Sequence, residues 1–227
     1  MKSLFRLSAV VLPLALAACS GGEASLESND GINSNASAST KNPSATSGKC
    51  NASDAKIVST SQATLTTCTS LESTSTAALN ALIADLQTCV KGATADAGSV
   101  CNTTDIEKQA TILASVGPAI QKSACPAVTT LNSLTATKTV QLKTDAVSDF
   151  TTTCAYANDL VSIETQVLSL LSSAADGGVS DAGAGSGAYY NQLKAILTLA
   201  QDAYTLQGQL PALNSKVQTD LDAKPCG

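Results

Sequence analysis

Apolar side chains recur at Leu79, Leu82, Ile83, Leu86 and Val90, the spacing of one face of an α-helix and not the alternation of a strand. The pattern predicts a helix from Ser73 to Lys91, with Gly92 as its stop. A turn-prone stretch around Asp96-Ala97-Gly98 separates it from Thr104-Asp105-Ile106-Glu107, which has the form of a capping box opening a second helix. Ile106, Ala110, Leu113 and Ile120 lie on that helix's inner face. Gly117-Pro118 predicts a kink or break, because proline removes a backbone donor and its ring crowds the preceding turn. Pro126 predicts the first turn of the next helix.

The most regular pattern runs from Asp145 to Ala175. Leu160, Val161, Ile163, Val167, Leu168, Leu170 and Leu171 cover about half of a helical wheel. Serine, threonine and glutamine fill the opposite arc, and Asp176-Gly177-Gly178 ends the run. A glycine-rich connector leads to Gly187, after which Leu193, Ile196, Leu197, Ala200 and Tyr204 share a face. Pro211 is expected to interrupt this last helix before a shorter run through Val217 and Leu221. No segment alternates with a strand's period. The expectation is an all-α fold, an antiparallel bundle of about four main helices, occupying residues 50–227.

The residues ahead of the bundle carry a different signal. Lys2 and Arg6 precede an apolar run from Leu7 to Ala18, which has the layout of a secretory signal and is too short for a stable membrane span. Leu16-Ala17-Ala18-Cys19 resembles the lipobox of bacterial lipoproteins, a likeness that covers only the first twenty or so residues. It implies that residues 1–18 are a signal peptide. It further implies that the Cys19 thiol takes a diacylglyceryl group through a thioether, and that Cys19 becomes the N-terminus of the mature chain. Ser20 stands where an inner-membrane retention signal would show aspartate, so the same resemblance implies the outer membrane. Each buried methylene of such an anchor contributes roughly 0.8 kcal/mol. Residues 19–49 then read as a lipidated start followed by a flexible tether, with Leu26 and Ile32 its only large apolar side chains. About thirty such residues span a mean of about 30 Å.

Composition narrows the chemistry. The chain has no His and no Trp, and its one arginine, Arg6, falls in the expected signal. Past Cys19, eleven lysines face eighteen aspartates and glutamates. Histidine acid–base catalysis, His-ligated zinc or haem and guanidinium clamps on phosphate are thereby excluded. An acidic surface also repels a nucleic-acid backbone, so no nucleic-acid partner is expected. Seven cysteines follow Cys19: Cys50, Cys68, Cys89, Cys101, Cys125, Cys154 and Cys226. In an exported chain they are expected to form disulfides. If two predicted helices form a hairpin, Cys89–Cys101 and Cys68–Cys125 become its two rungs. Cys50, Cys154 and Cys226 are left to compete for a third bond.

Motifs with catalytic form are sparse. Ser53-Asp54-Ala55-Lys56 matches the Ser-x-x-Lys of penicillin-recognising enzymes, yet no Ser-Asp-Asn or Lys-Thr-Gly accompanies it. The Gly177–Gly187 run lacks the Lys-Ser/Thr of a phosphate cradle, and Asp220 with Asp222 are too few carboxylates for calcium. Glu164 falls inside the apolar arc of its helix and is a candidate ligand contact. Tyr189 and Tyr190 form a candidate binding pair. No catalytic residue, metal or cofactor is expected. The expected function is that of an outer-membrane lipoprotein whose helical domain is a non-enzymatic binding or structural component. Its expected partners are the membrane, through the lipid, and another envelope or surface protein. The alternative is a periplasmic enzyme inhibitor or immunity-type protein.

Overall fold

A computed structural model of the protein describes residues 49–94, 101–173 and 187–227. Cys19, the Asp96-Ala97-Gly98 turn and the glycine-rich connector before Gly187 lie outside the described residues. Four α-helices carry the fold: α1 (Ala52–Thr94), α2 (Thr103–Leu131), α3 (Val140–Ser173) and α4 (Gly187–Asp222), with a 3-10 turn over Thr137–Thr139. The all-α bundle expected from the sequence is what forms. The helices pack in a ring, α1 on α2, α2 on α3, α3 on α4 and α4 back on α1, so α1 and α3 face each other diagonally. Neighbours run antiparallel. Cys89 of α1 joins Cys101 at one end, while Asp54 of α1 accepts a hydrogen bond from Thr135 N–H, 3.0 Å, at the other.

The first helix begins some twenty residues before Ser73. A seam of buried positions runs through Asp54, Ile57, Ser61, Leu65, Cys68, Glu72, Ser75, Leu79, Leu82, Leu86 and Cys89 in steps of three or four, with Ala78 buried beside it. The early part of that seam holds polar side chains, so an apolar count starts too late. Asn51 caps the helix: its Oδ1 accepts from the Asp54 N–H at 2.8 Å, and Asp54 Oδ2 accepts from the Asn51 N–H at 3.3 Å. The cap of α2 is also shifted from the expected Thr104. Asn102 is the N-cap and accepts from the Asp105 N–H at 3.3 Å, with Asp105 in turn accepting from the Asn102 amide.

Pro118, Pro126 and Pro211 do not end a helix. Pro118 and Pro126 lie inside α2 and Pro211 inside α4, so Pro126 does not open a helix and Gly117-Pro118 does not break one. All three rings are exposed. The carbonyl that each proline leaves without a donor therefore faces the solvent side, where long helices already tilt their carbonyls outward. Gly117 has a separate reason to be glycine. A Cβ there would sit 3.1 Å from Leu160 Cβ and 3.2 Å from Val161 Cγ2, so α2 and α3 approach closely where the side chain is missing. Tyr204 and Leu168, expected on inner faces, are 48 % and 44 % exposed. The seam of α4 runs through Leu193, Ile196, Ala200 and Ala203, one position away from Tyr204.

Three disulfides brace the bundle: Cys50–Cys226, Cys89–Cys101 and Cys125–Cys154. The Cys89–Cys101 rung is as expected, and the Cys68–Cys125 rung is not. Because α1 starts so early, Cys68 lies in mid-helix on the core seam, 1 % exposed and outside all three disulfides. Cys125 points across α2 to α3, where the Gln121 amide also donates to Asn158 Oδ1 at 2.6 Å.

Candidate functional site

Polar seam positions meet in the interior. Glu72 and Ser75 come from α1, Asp149, Thr153 and Tyr156 from α3, and Asn214 from α4. Each of the first two helices brings them to one face by helical spacing: Glu72 and Ser75 are three residues apart, Asp149, Thr153 and Tyr156 four and three. Ser75, Asp149, Thr153 and Tyr156 are fully buried and Glu72 is 6 % exposed.

One half of the cluster is satisfied. The Ser75 hydroxyl donates to the Glu72 carbonyl at 2.9 Å, and its oxygen lies 2.7 Å from Tyr156 Oη. The Tyr156 hydroxyl is then the donor of that second bond. Burial pushes the Tyr156 hydroxyl up to about 12; the Ser75 bond opposes the shift and the charge on Glu72 adds to it. Ser75 is thus occupied, its proton directed to the Glu72 carbonyl and its oxygen taken by Tyr156.

The other half is left with unpartnered oxygens. Asn214 Nδ2 donates to Glu72 Oε2 at 2.9 Å. Glu72 Oε1, both Asp149 oxygens, Thr153 Oγ1 and Asn214 Oδ1 take no hydrogen-bond partner among the described residues. Burial raises the Asp149 carboxyl to about 7, and repulsion from Glu72 adds to that shift; the nearby Thr153 side chain opposes it without reaching hydrogen-bond geometry. Glu72 is also raised, by burial first, while the Asn214 amide and Thr153 pull it back. Burial, with repulsion between the two carboxyls added to it, thus favours the neutral form of Asp149 up to about pH 7. The arrangement attracts positive charge.

This cluster has an opening. A groove of about 760 Å³ runs between α1 and α4, with Leu65, Leu210 and Pro211 among its apolar walls and Glu72 and Asn214 in its lining. Hydroxyls of Thr66, Thr69 and Thr76 border it, though each donates to a carbonyl of its own helix.

No family model, characterised protein or solved structure matches this chain. The site must be judged on its own chemistry.

The residues singled out in the sequence lie elsewhere. Glu164 is half-buried beside Ile163 on α3. Lys194 is placed with its ammonium 5.4 Å from the Tyr190 ring centroid. Tyr189 packs against the core and its hydroxyl donates to Cys101 Sγ at 3.9 Å. Burial raises the Tyr189 hydroxyl. Ser53 and Lys56 are exposed on the first turn of α1, where the Asp54 between them works as a cap and a clasp. Its carboxyl is held low, chiefly by the Thr135 N–H, with burial opposing and the Asn51 and Thr135 contacts adding. Among the described residues no three of His, Cys, Asp or Glu are grouped as metal ligands. Sequence reasoning passed over Glu72, Asp149 and Asn214; the signal that finds them is the three-four seam, extended through polar positions.

Proposed function

We propose that this chain is a lipid-anchored component of the bacterial cell envelope whose helical domain works by binding and not by turnover. The observation that carries the reading is Leu16-Ala17-Ala18-Cys19 behind a basic and then apolar leader. Six of the seven cysteines beyond it pair in three disulfides, which suits an oxidising compartment. Among the described residues no helix is long and apolar enough to cross a membrane; in this reading the acyl chains on Cys19 supply the attachment. A protein surface of the envelope is the proposed partner, and Ser20 favours the outer membrane for its location.

The test is intact mass spectrometry of the chain expressed with its leader in a bacterium, followed by membrane fractionation. The expected result is a mature chain beginning at Cys19 and carrying a diacylglyceryl group, found with outer membranes and released to the soluble fraction in Cys19→Ala. An unmodified polypeptide, soluble after export, refutes the anchoring. Turnover by the purified protein that Ser53→Ala abolishes would refute the non-enzymatic role.

A further inference from the structure

We propose that the groove between α1 and α4 binds small aliphatic amines, with Glu72 and Asn214 receiving the ammonium group. The inference rests on reading this domain as a binder, and names the chemistry of what it binds; it does not depend on acylation of Cys19.

Three observations point to this ligand. The first is the inventory of hydrogen-bonding groups. An alkylammonium carries three donors and no acceptor. The groove's lining offers the converse, since Glu72 Oε1 and Asn214 Oδ1 accept from nothing described. A carboxyl kept dry with no positive partner is costly, and a matching cation relieves that cost.

The second is shape. About 760 Å³ falls within the range of small-molecule sites. Leu65, Leu210 and Pro211 line it beside the carboxyl, so a short methylene chain can lie on apolar wall while its charged end reaches Glu72. The third is the donor set, which is poor for a hard metal ion. Calcium requires six to eight oxygen ligands, several of them carboxylates, and no three acidic, histidine or cysteine side chains are grouped among the described residues. Glu72 is only 6 % exposed, and the Asn214 amide holds its Oε2. An entering ammonium therefore meets Glu72 Oε1, the oxygen that the amide leaves without a described partner.

Isothermal titration calorimetry of the full chain in detergent tests this with three probes: cadaverine, glutarate of the same length, and calcium chloride. Saturable cadaverine binding with a Kd below about 1 mM, no glutarate binding and no competition by calcium are expected. Glu72→Gln keeps the shape and the Asn214 bond but removes the charge, and should weaken cadaverine at least tenfold with the helical circular dichroism unchanged. Absence of cadaverine binding, equal binding by the folded variant, or displacement by calcium at lower concentration would each overturn the proposal. Should the variant not fold, the contrast between cadaverine and glutarate on the native chain still decides. Intact mass of the same sample reports acylation separately, so failure of the amine site is distinguishable from failure of the lipid anchor.

Discussion

Replacing Asp149 with asparagine should make the protein more stable at alkaline pH, although it deletes a charged group. Asp149 is fully buried, neither of its oxygens has a described hydrogen-bond partner, and Glu72 repels it. Its carboxyl is raised from 3.8 to about 7 in the folded state. A group raised on folding contributes stability that is fully present below its unfolded value and is lost as pH rises through its folded value. The loss therefore runs from about pH 4 upward and is completed above pH 7. The shift of about three units corresponds to about 4 kcal/mol, a large share of the 5–15 kcal/mol typical of a domain. Raised Glu72 acts in the same direction. Urea unfolding followed by circular dichroism, disulfides intact, at steps from pH 4 to 8.5 measures this. The native protein should weaken across that range, and Asp149→Asn should be the more stable form at pH 8 with a flatter profile. A native curve that is level from pH 4 to 8.5, or a variant less stable than the native chain at pH 8, would refute the reasoning.

Other perturbations have equally definite outcomes. Gly117→Val places methyls against Leu160 and Val161, where a Cβ alone already sits at 3.1 Å and 3.2 Å, and should cost about 1–3 kcal/mol in urea unfolding; a change within about 0.5 kcal/mol would show that α2 and α3 part easily. Non-reducing peptide mapping should recover Cys125 linked to Cys154, and the double Cys125→Ser, Cys154→Ser protein should lose about 2–4 kcal/mol. A Cys68–Cys125 peptide would contradict the structure. Asp54→Ala removes both a helix cap and the clasp on Thr135, and should cost about 1–2 kcal/mol at pH 7. Because the Asp54 carboxyl is lowered on folding, its share of stability is present above the unfolded value and disappears as pH falls through the folded one. The gap between native and Asp54→Ala proteins should accordingly close in acid, and a gap that persists at pH 2 would argue against it. Tyr156→Phe leaves the Ser75 oxygen without its donor and should cost about 1 kcal/mol.

The bundle was legible in the sequence because its later seam positions are leucine, isoleucine and valine, whose spacing points to helices without ambiguity. Less legible was everything that depended on polar residues taking seam positions. Asp54, Ser61, Glu72 and Ser75 occupy the inner face of α1, so counting apolar side chains placed the helix start near Ser73 and put Cys68 ahead of it. That single displacement also produced the mistaken Cys68–Cys125 rung. Likewise Asp149 and Thr153 were hidden in α3 because its wheel was drawn around Leu160, several turns farther on. The prolines misled for a different reason. Their effect depends on whether the orphaned carbonyl faces solvent or core, which is a property of the assembled bundle and not of the local sequence. Glu164 shows the converse, a charged residue on an apolar arc that ends at the helix edge.

Cys50 and Cys226 join the first turn's approach to the end of the last helix. A pull arriving along the chain ahead of Lys49 is therefore delivered to α1 and α4 together. Those two helices pack against each other, so tension at this junction loads both at once instead of peeling α1 away from its end. Reduction of that one bond would convert a shear-resistant attachment into one that unzips, leaving the interior polar cluster intact until the strain reached it.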